Sequence, residues 1–448
     1  MSNQSAPDQQ KRGLSSRRQT IATALTCVLI LGIPFFSTPA RGGLDVVTVL
    51  VPVALIGALF VVRAKALDKI PYRNFGVAAT LFLLWALVTI LAVGGGAKEL
   101  LTWARYTSYF LLIPAIALVT ASPKDRAIVL GAVVLAGVGA SLYGFYQYAD
   151  PRILSDTFAV GKTISVRIFS TFDNPNFFSE FLLLSLCATL ALLGEYWKRN
   201  RMAIALIALA GAVQLAAFLL TYTRGSWLAL ATGLFIGVLV FRPRWSLPLL
   251  GALIVVALVP GVSSRLLSVF SGDSSTMFRL GLWKAAGAAI TQKPLFGGGL
   301  GDFLQIYHRT ILQHPELYQG VLQFEPHNSY LQITAETGII GGLLFICSVA
   351  SLVWAGLRLS KRLKTDRRRS FQNAALLAGI VGIILNALTS DSFQHPHAIV
   401  YFFVLGGLIV GLGWGHWNPP AVFSDSKIVQ KIFRASAGQQ SESDNAGK

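Results

Sequence analysis

Apolar runs of near twenty residues recur along this chain, separated by short polar segments, a pattern that predicts helices each crossing a bilayer. Spans are expected at Ile21–Phe36, Val46–Val62, Phe75–Val93, Leu100–Thr120, Ala127–Tyr146, Phe177–Gly194, Ala203–Leu220, Trp227–Phe241 and Leu247–Pro260. After one long polar interruption come Tyr330–Leu357, Ala374–Leu388 and Ile399–Trp414. The chain therefore divides into a polar tail over 1–18, nine spans in 19–260, a loop over 261–326, three spans in 327–416 and a second tail over 417–448. The expected fold class is an all-α polytopic membrane protein of about 12 transmembrane helices, with short amphipathic helices in its one long loop. Arg17-Arg18 precedes the first run, but so many later spans fit an uncleaved first helix better than a cleaved or twin-arginine signal.

Composition agrees. The 448 residues are 54% hydrophobic and only 13% charged, too little charge to cover a soluble protein of this length. The net charge of +18 invites a nucleic-acid reading, which its distribution removes. With the N-terminus in the cytoplasm, the cytoplasmic pieces hold 26 of the 38 Lys and Arg against about eight of the 20 acids. The basic excess is thus topological, and both termini fall inside. Cys27, Cys187 and Cys347 lie far apart in apolar helices, without metal-ligand spacing or a disulfide framework. No internal repeat of the transporter kind is present.

This topology puts the chemically interesting segments on the outer face. They are 150–176, the turn Thr221-Tyr222-Thr223-Arg224-Gly225-Ser226, the long loop, and Ser390-Asp391-Ser392-Phe393-Gln394-His395-Pro396-His397. Arg224 ends a span, where a guanidinium serves either as a fixed fork for a phosphate or as a snorkelling anchor. In Met277–Gln292, Leu280, Trp283 and Ile290 share one helical face with Gly287, which suits a helix lying in the interface with Arg279 and Lys284 on its flanks. Gly297-Gly298-Gly299-Leu300-Gly301 lacks the preceding strand and following Lys-Ser/Thr of a nucleotide loop, so it is expected to be a tight turn.

His327 stands at the mouth of a span, after Pro326 and before Asn328. It serves as a general base for a sugar hydroxyl or as a mere helix cap. Asn328, Gln332 and Glu336 recur at i, i+4 and i+8, one polar stripe about 12 Å long. Glu336 is an intramembrane acid expected to pair with an arginine such as Arg224. His395 and His397 flank Pro396 without a second cluster or acid pair to support a metal site, and His308 and His314 are expected on the loop surface. No Asp-x-Asp motif offers Mg²⁺ a place, so no metal and no cofactor is expected, and a leaving diphosphate must be met by positive side chains.

Several pieces together resemble the O-antigen ligase/polymerase superfamily of bacterial envelope glycan proteins. They are Thr223-Arg224-Gly225-Ser226-Trp227, Arg279 with Trp283 and Ala286, Pro294-Leu295-Phe296-Gly297 through Gly301 and Phe303, and His327-Asn328-Ser329-Tyr330-Leu331 with Glu336-Thr337-Gly338. The resemblance is strongest over 219–344. It implies a GT-C-like membrane glycosyltransferase of the bacterial inner membrane, its active site facing the periplasm. The implied reaction is transfer of a glycan from undecaprenyl diphosphate to an acceptor hydroxyl, on lipid A-core for a ligase or on another lipid-linked repeat for a polymerase. By the same resemblance Arg224 and Arg279 hold the diphosphate and His327 is the base. Lys284, Asn328 and Glu336 join them as expected substrate-binding residues. The single loop carrying the His at its end favours a ligase. A small-solute transporter is the alternative of a different class, and it would want polar groups near the membrane midplane.

Overall fold

A computed structural model describes residues 6–35, 73–150, 159–160, 165–258, 263, 274–320 and 325–413. The described chain is helical apart from a small antiparallel pairing of 159–160 with 165–166. Its helices are α1 (Ala6–Gly32), α2 (Arg73–Val93), α3 (Ala97–Val119), α4 (Pro123–Ala149), α5 (Pro175–Tyr196), α6 (Arg201–Leu220), α7 (Arg224–Phe241) and α8 (Ser246–Leu258). The polar interruption contains α9 (Ser274–Gln292) and α10 (Phe303–Gln313), followed by α11 (Ser329–Arg362), α12 (Arg367–Asn386) and α13 (Pro396–Leu412). Every expected span on described residues is a helix; the one expected at Val46–Val62 and the tail over 417–448 lie outside them. Seven of the described helices are long and apolar enough to cross a membrane, and Pro243–Leu258 and Pro396–Leu412 are apolar but shorter.

Local chemistry starts these helices where the sequence turns from polar to apolar. Ser122, Asn174, Asn200, Asn328 and Asp366 each occupy an N-cap and accept a hydrogen bond from a backbone amide of the first turn, with Pro123 and Pro175 following two of them. At the centre stands α13, apolar all round and buried along its whole length among α3, α5, α11 and α12. Close packing between α7 and α12 depends on small residues: a Cβ at Gly233 would lie 2.3 Å from the Ala378 carbonyl oxygen.

The long helix α11 is broken at Gly338, whose φ of 74° and ψ of 174° only glycine adopts readily. The freed carbonyls find partners in the glycine turn, a strap over 293–301. Gly298 N–H donates to Ala335 O at 2.9 Å and Gly299 N–H to Glu336 O at 3.0 Å, while Ile339 N–H donates to Pro294 O at 2.8 Å. Helix α2 clamps the strap from the other side. Trp85 stacks on Phe296 at 5.5 Å and 12°, and its indole N–H donates to Thr337 O at 2.9 Å. Lys98 at the start of α3 pairs with Asp302 at 2.7 Å. The tight turn expected at Gly297–Gly301 is therefore present, and it is the plug of a broken membrane helix.

Candidate active site

Asn328 caps α11 by accepting from the amides of Tyr330 and Leu331, both at 3.1 Å, and so fixes where the helix begins. His327, one residue earlier, takes the left-handed region at φ 48°, uncommon outside glycine though more frequent for His, Asn and Asp. That conformation turns its imidazole towards the loop between α12 and α13. There Nδ1 lies 2.7 Å from Oδ2 of Asp391, a carboxylate only 1% exposed. A proton on Nδ1 shared with Asp391 leaves the basic lone pair on Nε2, the arrangement a general base requires. Sequence reasoning assigned Asp391 no role. Its only signal was an acid in a short polar turn on the same face as the histidine.

The loop over 387–395 is held firmly against His327. Ser329 N–H donates to Ala387 O at 2.9 Å, and Ser329 Oγ donates to Gln394 Oε1 at 2.7 Å and accepts from Phe393 N–H at 3.1 Å. From the other side Asn386 donates to Glu180 Oε1 at 2.8 Å and to Ser392 Oγ at 3.2 Å, and Ser390 Oγ also donates to Glu180. The same Asn386 accepts from Ser226 Oγ at 3.3 Å, which is joined to Ser179 Oγ at 2.6 Å. A buried polar chain thus runs from α5 and the first turn of α7 to the Asp391 loop.

Arg224 is the first residue of α7, and its neighbour Gly225 abuts the same loop, a Cβ there falling 3.2 Å from Thr389 Oγ1. The turn before it is braced by Arg167, which the sequence did not single out. Its guanidinium donates to Thr221 O at 2.8 Å, Asn176 Oδ1 at 2.9 Å and Thr223 Oγ1 at 3.0 Å. Such a fixed turn gives Arg224 a defined origin.

Glu336 requires a correction. Its carboxylate, 1% exposed, accepts from Gly301 N–H at 2.8 Å and from Gln332 Nε2 at 3.0 Å. The expected arginine partner is replaced by a backbone amide of the strap and by the preceding polar residue of its own stripe. A carboxylate satisfied by short local donors needs no guanidinium, and these bonds tie the helix to the loop. The stripe Asn328, Gln332 and Glu336 is buried throughout, so Glu336 has the geometry of a structural acid.

Arg279 and Lys284 lie on α9, the second beside the buried face and exposed. That face is not the one expected. Leu280 is 40% exposed, whereas Leu282, Ala285, Ala286 and Ala289 are buried against Phe303, Ile306, Tyr307 and Ile311 of α10 and Ala335 of α11. The small alanines allow α10, an amphipathic helix that the sequence did not resolve individually, to approach closely. His308 sits partly exposed on α10 and His314 pairs with Glu316 at its end. Trp283 couples α9 to the start of α11, because its indole N–H donates to Pro326 O at 2.9 Å, one residue before His327.

The lack of an acid pair near His395 is also revised. Folding brings ligand-type atoms of Glu325, Asp391 and His395 within 4.8 Å of one another, and Asp391 Oδ1 is buried without a hydrogen-bond partner. Two carboxylates and an imidazole are a donor set that suits a divalent cation. They equally suit a protonated histidine: His395 Nε2 is 3.6 Å from Glu325 Oε2, and its ring lies against Phe177, tilted by 34° with centroids 3.5 Å apart. Burial pushes the His395 imidazole down, and the Glu325 hydrogen bond with the charges of Glu325, Asp391 and Glu180 outweighs it, so its pKa is raised overall.

An oriented imidazole, an ionisable partner behind it and guanidinium-bearing elements around it can take a proton from a hydroxyl and receive an anionic leaving group. Residues 209–346, which include Arg224, Arg279, Lys284, His327, Asn328 and Glu336, match the family described as O-antigen ligase. A protein of Rickettsia conorii named "Putative polysaccharide ligase" is 26% identical over 317 residues, covering 63% of this chain and 68% of its own. Proteins of the same name from Rickettsia felis and Rickettsia bellii are each 28% identical, over 30% and 33% of this chain. The chain spans only 35% and 39% of the length of those two. Within a multi-pass helical architecture, the segment over 209–346 is thus similar to the O-antigen ligase family.

Proposed function

We propose that the protein is a ligase that transfers a glycan from undecaprenyl diphosphate to a sugar hydroxyl of lipid A-core, at the periplasmic face of the bacterial inner membrane. The observation that carries this is the His327–Asp391 pair at the mouth of α11, 2.7 Å apart. The acceptor hydroxyl oxygen attacks the anomeric carbon as Nε2 of His327 takes its proton. The bond from that carbon to the diphosphate oxygen breaks, and the electron pair leaves with the diphosphate. Arg224 and Arg279, with Lys284 at the edge, meet the leaving charge, and a single displacement inverts the anomeric centre. Asp391 holds the tautomer and offsets the imidazolium that forms. Asn328 acts through the helix start and Glu336 through the strap, so both are positioning residues. Twelve crossings with both termini in the cytoplasm put this end of the bundle outside.

The name shared by the Rickettsia relatives favours a ligase over a polymerase, which would differ only in its acceptor. The decisive experiment joins a gene deletion to an assay of the purified protein. Bare lipid A-core with accumulated, polymerised lipid-linked glycan supports the ligase, whereas core bearing a single repeat would assign a polymerase. Transfer by the purified protein should survive EDTA. Loss of transfer that Mg²⁺ or Mn²⁺ restores would move the leaving-group role from the arginines to a cation at Glu325, Asp391 and His395.

A further inference from the structure

At the end of α11 opposite His327, α7, α11 and α12 enclose a cavity of about 650 Å³. Its rim carries five cations: Arg242 from the end of α7, Arg358 and Lys361 from α11, Lys364, and Arg367 from the start of α12. Among the described residues no Asp or Glu lines it. Asp366 and Glu195, the described acids that meet the first turn of α12, are engaged elsewhere. Asp366 caps α12 and pairs with Arg369 at 3.4 Å, and Glu195 pairs with Arg368 at 3.0 Å and Arg199 at 3.3 Å. Of the three consecutive arginines 367–369, the second and third are therefore neutralised by carboxylates, and only the first faces the cavity.

Below the rim the walls become apolar, with Val240, Leu357 and Trp354, the last 48% exposed on the outside of the bundle. Two cations are already ordered on aromatic rings: Arg358 lies 4.9 Å from the Trp354 ring centroid and Arg242 5.7 Å from that of Phe241. Topological anchoring alone needs cations spread in solvent around the helix ends. Convergence of five on one concavity, with no acid among them and hydrocarbon beside them, requires an anion that is also lipophilic.

We propose that this cavity binds the phosphodiester headgroup of an anionic phospholipid, with the acyl chains running down past Trp354 and Leu357. Basic pockets between membrane helices recognise such headgroups by charge, each cation adding its own increment. This site is remote from the glycan-transfer residues and stands whether or not the proposed reaction is right.

The full-length protein in neutral detergent, studied by native mass spectrometry and thermal unfolding, provides the test. The probes are tetraoleoyl cardiolipin, dioleoylphosphatidylglycerol, dioleoylphosphatidylcholine and inorganic phosphate at equal concentration. Wild type should retain and be stabilised by the first two and not by the others. The double variant Arg358→Gln/Lys361→Gln should bind them roughly 10- to 30-fold more weakly. The control Lys198→Gln/Arg201→Gln, which removes two cations from the turn between α5 and α6, should bind them as wild type does. Should the double variant fold poorly, Lys361→Gln alone, on an exposed side chain, should still weaken binding by roughly fivefold. Equal retention of phosphatidylcholine, equal loss in the control, or an equal effect of inorganic phosphate would overturn the proposal, the last by assigning a site for free anions.

Discussion

Nδ1 of His327 and Oδ2 of Asp391 are 2.7 Å apart across 64 residues of chain, the first at the mouth of α11 and the second in the loop that precedes α13. The pair exists because Ser329, two residues after the histidine, is bonded to Ala387, Phe393 and Gln394 on either side of the aspartate. Orientation of the imidazole is thus a property of two helices and a loop together, and each part can be removed separately.

Asp391→Asn keeps the size of the side chain while removing its charge and its fixed acceptor. The carboxamide can donate to Nδ1 and so hold the proton on Nε2, the wrong nitrogen for a base. Turnover should fall by roughly 10²–10⁴-fold, with donor KM nearly unchanged. A transfer rate within about twofold of wild type would show that Asp391 does not orient the base.

His327→Ala and Asn328→Ala separate chemistry from helix capping. The first strands the buried Asp391 carboxylate and so loses some stability, yet it should purify, bind donor and lose roughly 10²–10⁴-fold in turnover. The second should lose stability, by about 0.5–2 kcal/mol, with a much smaller loss of turnover. Melting curves and transfer assays on both proteins decide the matter; parallel modest losses in the two would make His327 a cap.

Arg224→Lys keeps the charge and discards the planar fork. If the guanidinium grips a diphosphate through two bonds, kcat/KM for the donor should drop by roughly tenfold or more. Wild-type kinetics in this variant would reduce Arg224 to an anchor of α7.

Gly338→Ala should be the most damaging of the small substitutions. At φ 74° an L-residue costs about 1–3 kcal/mol, and the new Cβ would lie 1.8 Å from the Leu295 carbonyl oxygen. Gly287→Ala, in open space on helical backbone, should instead be neutral or stabilising by up to about 1 kcal/mol. Thermal unfolding of the two variants should move in opposite directions; a wild-type melting temperature for Gly338→Ala would mean that the break is not needed.

The raised His395 pKa gives stability a definite pH dependence. A group bound more tightly to its proton when folded stabilises fully below its ordinary value of 6.5, and this contribution is lost as pH rises through the raised value. His395→Asn should therefore remove a decline in melting temperature on the alkaline side of 6.5, leaving a flatter profile there. An unchanged profile would mean that the Glu325–His395 pair titrates alike in folded and unfolded chains.

Much of this was legible in the chain. Hydropathy located the helices on the described residues. Capping chemistry marked the start of α11 at Asn328, and short motifs singled out His327 and Arg224. What stayed hidden depends on distance in sequence. Asp391 meets His327 across 64 residues and Arg167 meets Thr221 across 54, and nothing local distinguishes them from other loop polar groups. Size is a poor mark of burial on α9. Packing there selects alanines, which let α10 come near, and leaves Leu280 outside. Glu336 was assigned a cation by the rule for intramembrane acids, whereas its donors are an amide and a neighbour, which no charge count reveals.

The break in α11 has one further consequence. Ala335 belongs to the same apolar cluster as α9 and α10, and the carbonyls of residues 335 and 336 complete the strap's hydrogen bonding. The extramembrane segment therefore has no stand-alone life. Excised as a water-soluble fragment, 274–326 would present Gly298 and Gly299 amides with nothing to donate to and an alanine-lined cleft with one wall missing. It and the upper half of α11 should melt as one cooperative unit, and antibodies or binders raised against the isolated fragment would recognise a shape that the intact protein does not have.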